Sequence, residues 1–129
     1  MASNDNRRVT LTIPAQAEYV GLARLALSAL ARLTPLGVDE VADLKLAVTE
    51  AAGAYVGDDD GRISFAFEIR DNELELRIEG TVEEAPGEEA ELRQAIIEAT
   101  VDDTWSDDRS VTLIKRLPNS SVTDEPVLD

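Results

Sequence analysis

The chain has 129 residues, of which 27 are acidic and 12 basic, giving a formal net charge of −15. Such a surface repels nucleic-acid phosphates, so DNA and RNA are poor partners and a basic protein surface is a better one. There is no cysteine and no histidine, which excludes disulfides, thiol chemistry and imidazole catalysis, and would leave zinc an all-carboxylate site.

The opening residues, Met1 to Arg8, have no apolar stretch behind the Arg7-Arg8 pair and do not make a signal peptide. Arg8-Val9-Thr10-Leu11-Thr12-Ile13 alternates polar and apolar residues, the period of a half-buried strand, and Pro14 ends it. From Gln16 the period becomes helical, with Tyr19, Leu22, Ala26, Ala29, Leu30 and Leu33 as the expected buried stripe. Thr34-Pro35-Leu36-Gly37 breaks that helix. A second helix opens with Asp39 and Glu40, which favour the positive end of its dipole, and its stripe is Val41, Leu44, Val48, Ala51 and Tyr55. Gly57-Asp58-Asp59-Asp60-Gly61 stops it.

Ile63, Phe65, Phe67 and Ile69 then alternate with polar or small residues, Asp71-Asn72 turns the chain, and Leu74, Leu76 and Ile78 alternate again. Two period-2 runs around a short turn predict a β-hairpin. After the loop Glu83 to Gly87, a third helix is expected on Leu92, Ala95, Ile96 and Ala99. The turn Ser106-Asp107-Asp108 introduces a last strand with Val111, Leu113 and Leu117. The order strand, helix, helix, hairpin, helix, strand predicts an α+β two-layer sandwich. One domain at residues 8–117 is expected, with residues 1–7 and 118–129 read as disordered ends. No apolar run approaches the ~20 residues that cross a bilayer, so a cytoplasmic protein is the expectation.

Two phrases carry more than a fold. One is Ile13-Pro14-Ala15-Gln16-Ala17-Glu18-Tyr19-Val20-Gly21 through Arg24; the other is Val41-Ala42-Asp43-Leu44-Lys45-Leu46-Ala47-Val48-Thr49-Glu50-Ala51. They resemble the N-terminal half of the bacterial anti-sigma-factor serine kinases, the partner-switching branch of the GHKL (histidine-kinase-like) ATPase superfamily. The resemblance implies a GHKL-type sandwich, with a mixed, mostly antiparallel sheet covered by about three helices. It also implies a homodimer that pairs through the first strand and helix, and partners that are a sigma factor, an anti-anti-sigma protein, or both. Arg24 matches an arginine through which the family contacts those partners.

The family's nucleotide chemistry fares differently. Glu50 matches the general base that takes a proton from a substrate serine. Four residues on, where the family has a magnesium-binding asparagine, this chain has Ala54, whose methyl group offers no lone pair. Gly80 stands where the adenine-binding aspartate belongs and Val82 where a glycine belongs, while Glu79, one residue early, faces the other side of its strand. The long ATP lid and glycine-rich phosphate turn are reduced to Thr81 through Gly87, and carboxylates follow at Glu88, Glu89 and Glu91 where an anion would need backbone N–H groups.

The leading expectation is therefore a pseudokinase with no ATP or magnesium, holding a protein partner, with Glu50 as a vestigial base on a solvated helix face. The alternative is an active ATP-dependent serine/threonine kinase acting on an anti-anti-sigma protein. A scaffold unrelated to sigma factors is the third reading.

Overall fold

The computed structural model describes residues 7–118. The expectations of disorder at the two ends concern residues 1–6 and 119–129 for the most part, and these lie outside the described residues. In chain order the elements are β1 (Arg8–Pro14), α1 (Val20–Ala31, preceded by a 3-10 turn at Ala17–Tyr19), α2 (Val38–Gly53), β2 (Arg62–Arg70), β3 (Glu73–Gly80), α3 (Glu88–Thr100), β4 (Asp103–Asp107) and β5 (Ser110–Arg116). The five strands form one sheet in the order β1-β2-β3-β5-β4, and every pairing is antiparallel. The sheet is thus fully antiparallel rather than mixed.

Strict alternation decides which face of the sheet is covered. Ile63, Phe65 and Phe67 on β2, Leu74, Leu76 and Ile78 on β3, and Val111 and Leu113 on β5 are all buried. They meet Leu27 of α1, Leu44, Val48 and Ala51 of α2, and Ile97 of α3 in one core. Full burial of each large side chain contributes about 1.5–3 kcal/mol, and the parallel rings of Phe65 and Phe67 stack with centroids 6.4 Å apart. On the opposite face the register sets Thr10, Ala66, Arg77, Thr112 and Trp105 in one row across the five strands. Among the described residues that face carries no helix, which makes the architecture a two-layer α+β sandwich.

Three sequence expectations need correction. In α1 the buried residues are Val20, Ala23, Leu27 and Ala31, whereas Tyr19, Leu22 and Leu33 are exposed. The segment VGLARLALSALA is apolar on nearly every side, so its periodicity cannot choose the face that meets the sheet. In α3 the buried residue is Ile97, and Leu92 is exposed, because the helix covers the core with one narrow edge. Finally, Asp103 to Asp107 is a strand, and the turn falls at Asp108–Arg109 instead, with Arg109 in the left-handed region at φ 54°. As an exposed edge strand, Asp103-Thr104-Trp105-Ser106-Asp107 lacks the apolar alternation that marks a covered one.

Candidate functional site

The C-terminal end of α2, the loop after β3 and the first turns of α3 converge on one cluster of charge. Glu50 lies on the last turn of α2. Its carboxylate Oε1 accepts a hydrogen bond from Arg93 Nη1 at 3.2 Å, and its backbone oxygen accepts a second from the same nitrogen at 3.1 Å. From the other side Glu84 meets the guanidinium in a two-pronged fork, Nε to Oε2 at 2.9 Å and Nη2 to Oε1 at 3.4 Å. The three side chains are only 21–25% exposed. Glu50 is thus not a freely solvated helix glutamate but half of a partly buried ion pair. Arg93 can cross α2 because residue 53 is glycine: a Cβ there would lie 3.0 Å from Arg93 Cζ and collide with Nη1.

The loop Thr81–Gly87 is stitched down rather than left open. Glu84 N donates to Ala54 O at 2.8 Å, so the backbone of the short loop is bonded to the residue at the end of α2. Thr81 Oγ1 accepts from Arg62 N at 3.0 Å, and Arg109 Nη1 donates to Thr81 O at 3.3 Å. Beneath the loop remains a cavity of about 350 Å³, floored by Ala51, Ala54, Tyr55 and Ile97 and closed on one side by Arg93 and Glu84. That is near the lower limit for a small-molecule site.

Tyr55 and Gly80 form the second filled position. The Tyr55 ring is 3% exposed and lies directly on Gly80, where an added Cβ would come 2.5 Å from Tyr55 Cβ and Cδ1. A side chain at position 80 thus has no room here, since the aromatic ring takes the space. Burial pushes the Tyr55 phenol up to about 12 from 10.0, with nearby Glu83 adding to the shift. A raised acid stabilises the fold in its neutral form. That contribution is complete below pH 10 and disappears as pH rises towards 12, a loss of about 2–3 kcal/mol. In a Tyr19→Phe variant, which leaves Tyr55 the sole tyrosine, tyrosinate absorbance should develop near pH 12 together with loss of the folded circular dichroism signal. Ionisation near pH 10 without unfolding would contradict the packing of Tyr55.

Arg24 sits apart from this cluster. It is half-buried on α1, and its Nη1 donates to Thr49 Oγ1 on α2 at 3.2 Å, while Thr49 donates in turn to Lys45 O at 2.8 Å. The structure therefore separates the sequence-derived site residues. Glu50, Ala54 and, through Tyr55, Gly80 surround one end of α2, and Arg24 marks the α1–α2 seam.

No family model matches the chain. A serine-protein kinase RsbW of Listeria monocytogenes is 40% identical to it over 76 residues, covering 55% of this chain and 48% of the relative. The RsbW of Bacillus subtilis is 38% identical over 78 residues, with 57% and 49% covered. The chain is similar to the RsbW serine-protein kinases. It spans about half the length of these relatives. Among solved structures, the RsbU and RsbW domains of a Mycobacterium tuberculosis protein match 84% of this chain and 32% of that one, with a TM-score of 0.65 and 19% identity, a likeness of fold. The GHKL-type sandwich and the resemblance to anti-sigma-factor kinases read from the sequence therefore stand.

Within this RsbW-like chain, the residues that sequence reasoning missed are Arg93, Glu84 and the filling role of Tyr55. One signal was available: Arg93 is the single cation of α3, among Glu88, Glu89, Glu91 and Glu98. Arg93 already has a local partner at i−4, Glu89, and that local explanation concealed a bond to Glu50, 43 residues away.

Proposed function

We propose that this chain is a regulatory binding protein of the anti-sigma-factor type, which sequesters a sigma factor or related regulator in the bacterial cytoplasm and has given up its nucleotide. One observation carries the proposal: the Arg93 guanidinium, bound by Glu50 and Glu84, stands at the end of α2 where the family's magnesium chemistry would lie. The residues present do not fit magnesium–ATP. Ala54 has no side-chain oxygen to offer and its backbone oxygen accepts from Glu84 N, Glu50 is engaged by a cation of the chain itself, and the Tyr55 ring covers Gly80. An internal guanidinium between two carboxylates supplies the positive charge that a metal would otherwise bring.

Restoring the missing ligand alone should not restore binding. Ala54→Asn is expected to titrate with Mg-ATP as the parent does, without saturable heat, because Arg93 and Tyr55 remain in place. A clear gain of affinity would sink that part of the proposal.

The partner surface is tested at Arg24. Binding of a purified alternative sigma factor should weaken at least about tenfold in Arg24→Glu, a charge reversal at a half-buried interface position. The melting midpoint should change little, since one hydrogen bond to Thr49 contributes about 1 kcal/mol or less. Undiminished binding would remove Arg24 from the interface. A dimer is part of the same proposal: among the described residues β1 is an edge strand paired on one side only, and Leu22, Leu25 and Leu33 of the α1 region are exposed.

The kinase reading has in its favour the name of the RsbW relatives, serine-protein kinases, and the Glu50 carboxylate bonded to Arg93 of the cavity wall. Phosphate transfer from ATP to an anti-anti-sigma protein, abolished in Glu50→Ala, would establish it.

A further inference from the structure

We propose that the cleft between the end of α1 and the start of α2 is a docking groove for an acidic, apolar helix of a protein partner. This rests on the reading of the chain as a protein-binding regulator and names where on it such a segment would lie. The cleft has a volume of about 620 Å³. Ser28, Ala31 and Arg32 line it from α1, and Val38, Val41, Ala42 and Lys45 from α2. The second set recurs at i, i+3, i+4 and i+7, a single helix face, and with Ala31 and Leu36 it gives the open cleft a largely apolar lining. Val38 at its mouth is 86% exposed, and Leu33 beside it is 74% exposed.

The backbone at this bend asks nothing further of a ligand. Thr34 Oγ1 donates to Ala31 O at 2.7 Å and accepts from Leu36 N at 3.3 Å, and Gly37 N donates to Glu40 Oε1 at 2.8 Å. The groove is therefore preformed, and the Glu40 carboxylate is turned into its own helix start. What the rim does offer is positive charge. Among the described residues Arg32 and Lys45 form no ion pair, as is also true of Arg24, Arg62, Arg109 and Arg116, and of these only Arg32 and Lys45 line this cleft. Two uncompensated cations beside an apolar trough, on a chain of net charge −15, select a helix with apolar residues on one face and carboxylates along its flank. The acidic remainder of the surface does not forbid this, because at physiological salt its field is screened beyond about 8 Å. Arg24, bonded to Thr49, lies farther along the same α1–α2 seam, so the groove is continuous with the proposed partner surface.

The probe is a synthetic amphipathic helix with leucines at i, i+3, i+4 and i+7 and glutamates beside them, titrated into the isotope-labelled full chain and followed by amide chemical shifts. Saturable shifts at Ser28, Thr34, Val38 and Ala42 are expected. The Arg32→Glu/Lys45→Glu variant, with an unchanged melting curve, should bind the probe at least roughly tenfold more weakly, having lost two charge-assisted contacts. A probe with lysine in place of glutamate should weaken likewise. Absent shifts, shifts elsewhere, or full affinity in the double variant would overturn the groove. Binding seen only after deletion of residues 119–129 would also overturn it, because the occupant would then be the chain's own Asp124-Glu125-Pro126-Val127-Leu128. Groove binding of the probe without any sigma-factor binding would instead leave the groove standing and remove the functional reading on which it rests.

Discussion

Replacing Gly80 by aspartate should destabilise the protein by about 3 kcal/mol and lower its melting midpoint by roughly 15 °C. The substitution restores the residue that the resemblance places at the adenine site, so a merely decayed pocket would accept it. Here the first added atom already meets Tyr55, at 2.5 Å from both Cβ and Cδ1, and the ring cannot swing away because it is buried in the core at 3% exposure. The carboxylate would also be forced against that apolar surface, which adds a desolvation penalty. Gly80→Ala should show the same effect in smaller measure. Thermal melts by circular dichroism decide the matter, and an unchanged midpoint in Gly80→Asp would mean that Tyr55 yields and that the position is open after all.

Arg93→Ala carries the second large effect. Removing the guanidinium leaves Glu50 and Glu84 facing each other, each about three-quarters buried, with no cation between them. Breaking one side of a buried ion pair costs 3–5 kcal/mol, and for this partly exposed group about 2 kcal/mol is the appropriate figure, or roughly 10 °C in melting midpoint. A triple variant, Arg93→Met/Glu50→Gln/Glu84→Gln, should recover most of that loss, because it removes the uncompensated charge along with the bond. If Arg93→Ala melts as the parent does, the triad is a surface contact of little consequence, and the case for a self-filled site weakens with it.

The two filled positions explain why the site was only partly legible beforehand. Alternation over Ile63 to Ile69 and Leu74 to Ile78 specified the hairpin, its partners and its covered face, since a one-residue slip would have exposed three large side chains on either strand. Of the expected α2 stripe Val41, Leu44, Val48, Ala51 and Tyr55, all but the half-buried Val41 are buried, although Tyr55 lies two residues beyond the helix. α1 was legible as a helix but not in orientation, and β4 was missed as an element. The first is apolar on nearly every side and the second is an exposed edge strand without apolar alternation, so neither carries a one-sided pattern. The departures of Ala54 and Gly80 from the family the chain resembles are visible one residue at a time, whereas the side chains packed beside them come from elsewhere in the chain: Arg93 from a helix that starts 34 residues after Ala54, and Tyr55 from 25 residues before Gly80. A substitution can be read from a string; the side chain that moves into the vacated space is fixed by packing of α3 on α2 and of α2 on β3.

The most direct test of the account is calorimetric titration of the purified chain with Mg-ATP and Mg-ADP, at concentrations that reach millimolar affinity. With Arg93 held by Glu50 and Glu84 and Tyr55 seated on Gly80, no saturable heat and no thermal shift are expected for either nucleotide. Saturable micromolar binding would contradict that account and would make the serine-kinase reading of Glu50 the first to pursue.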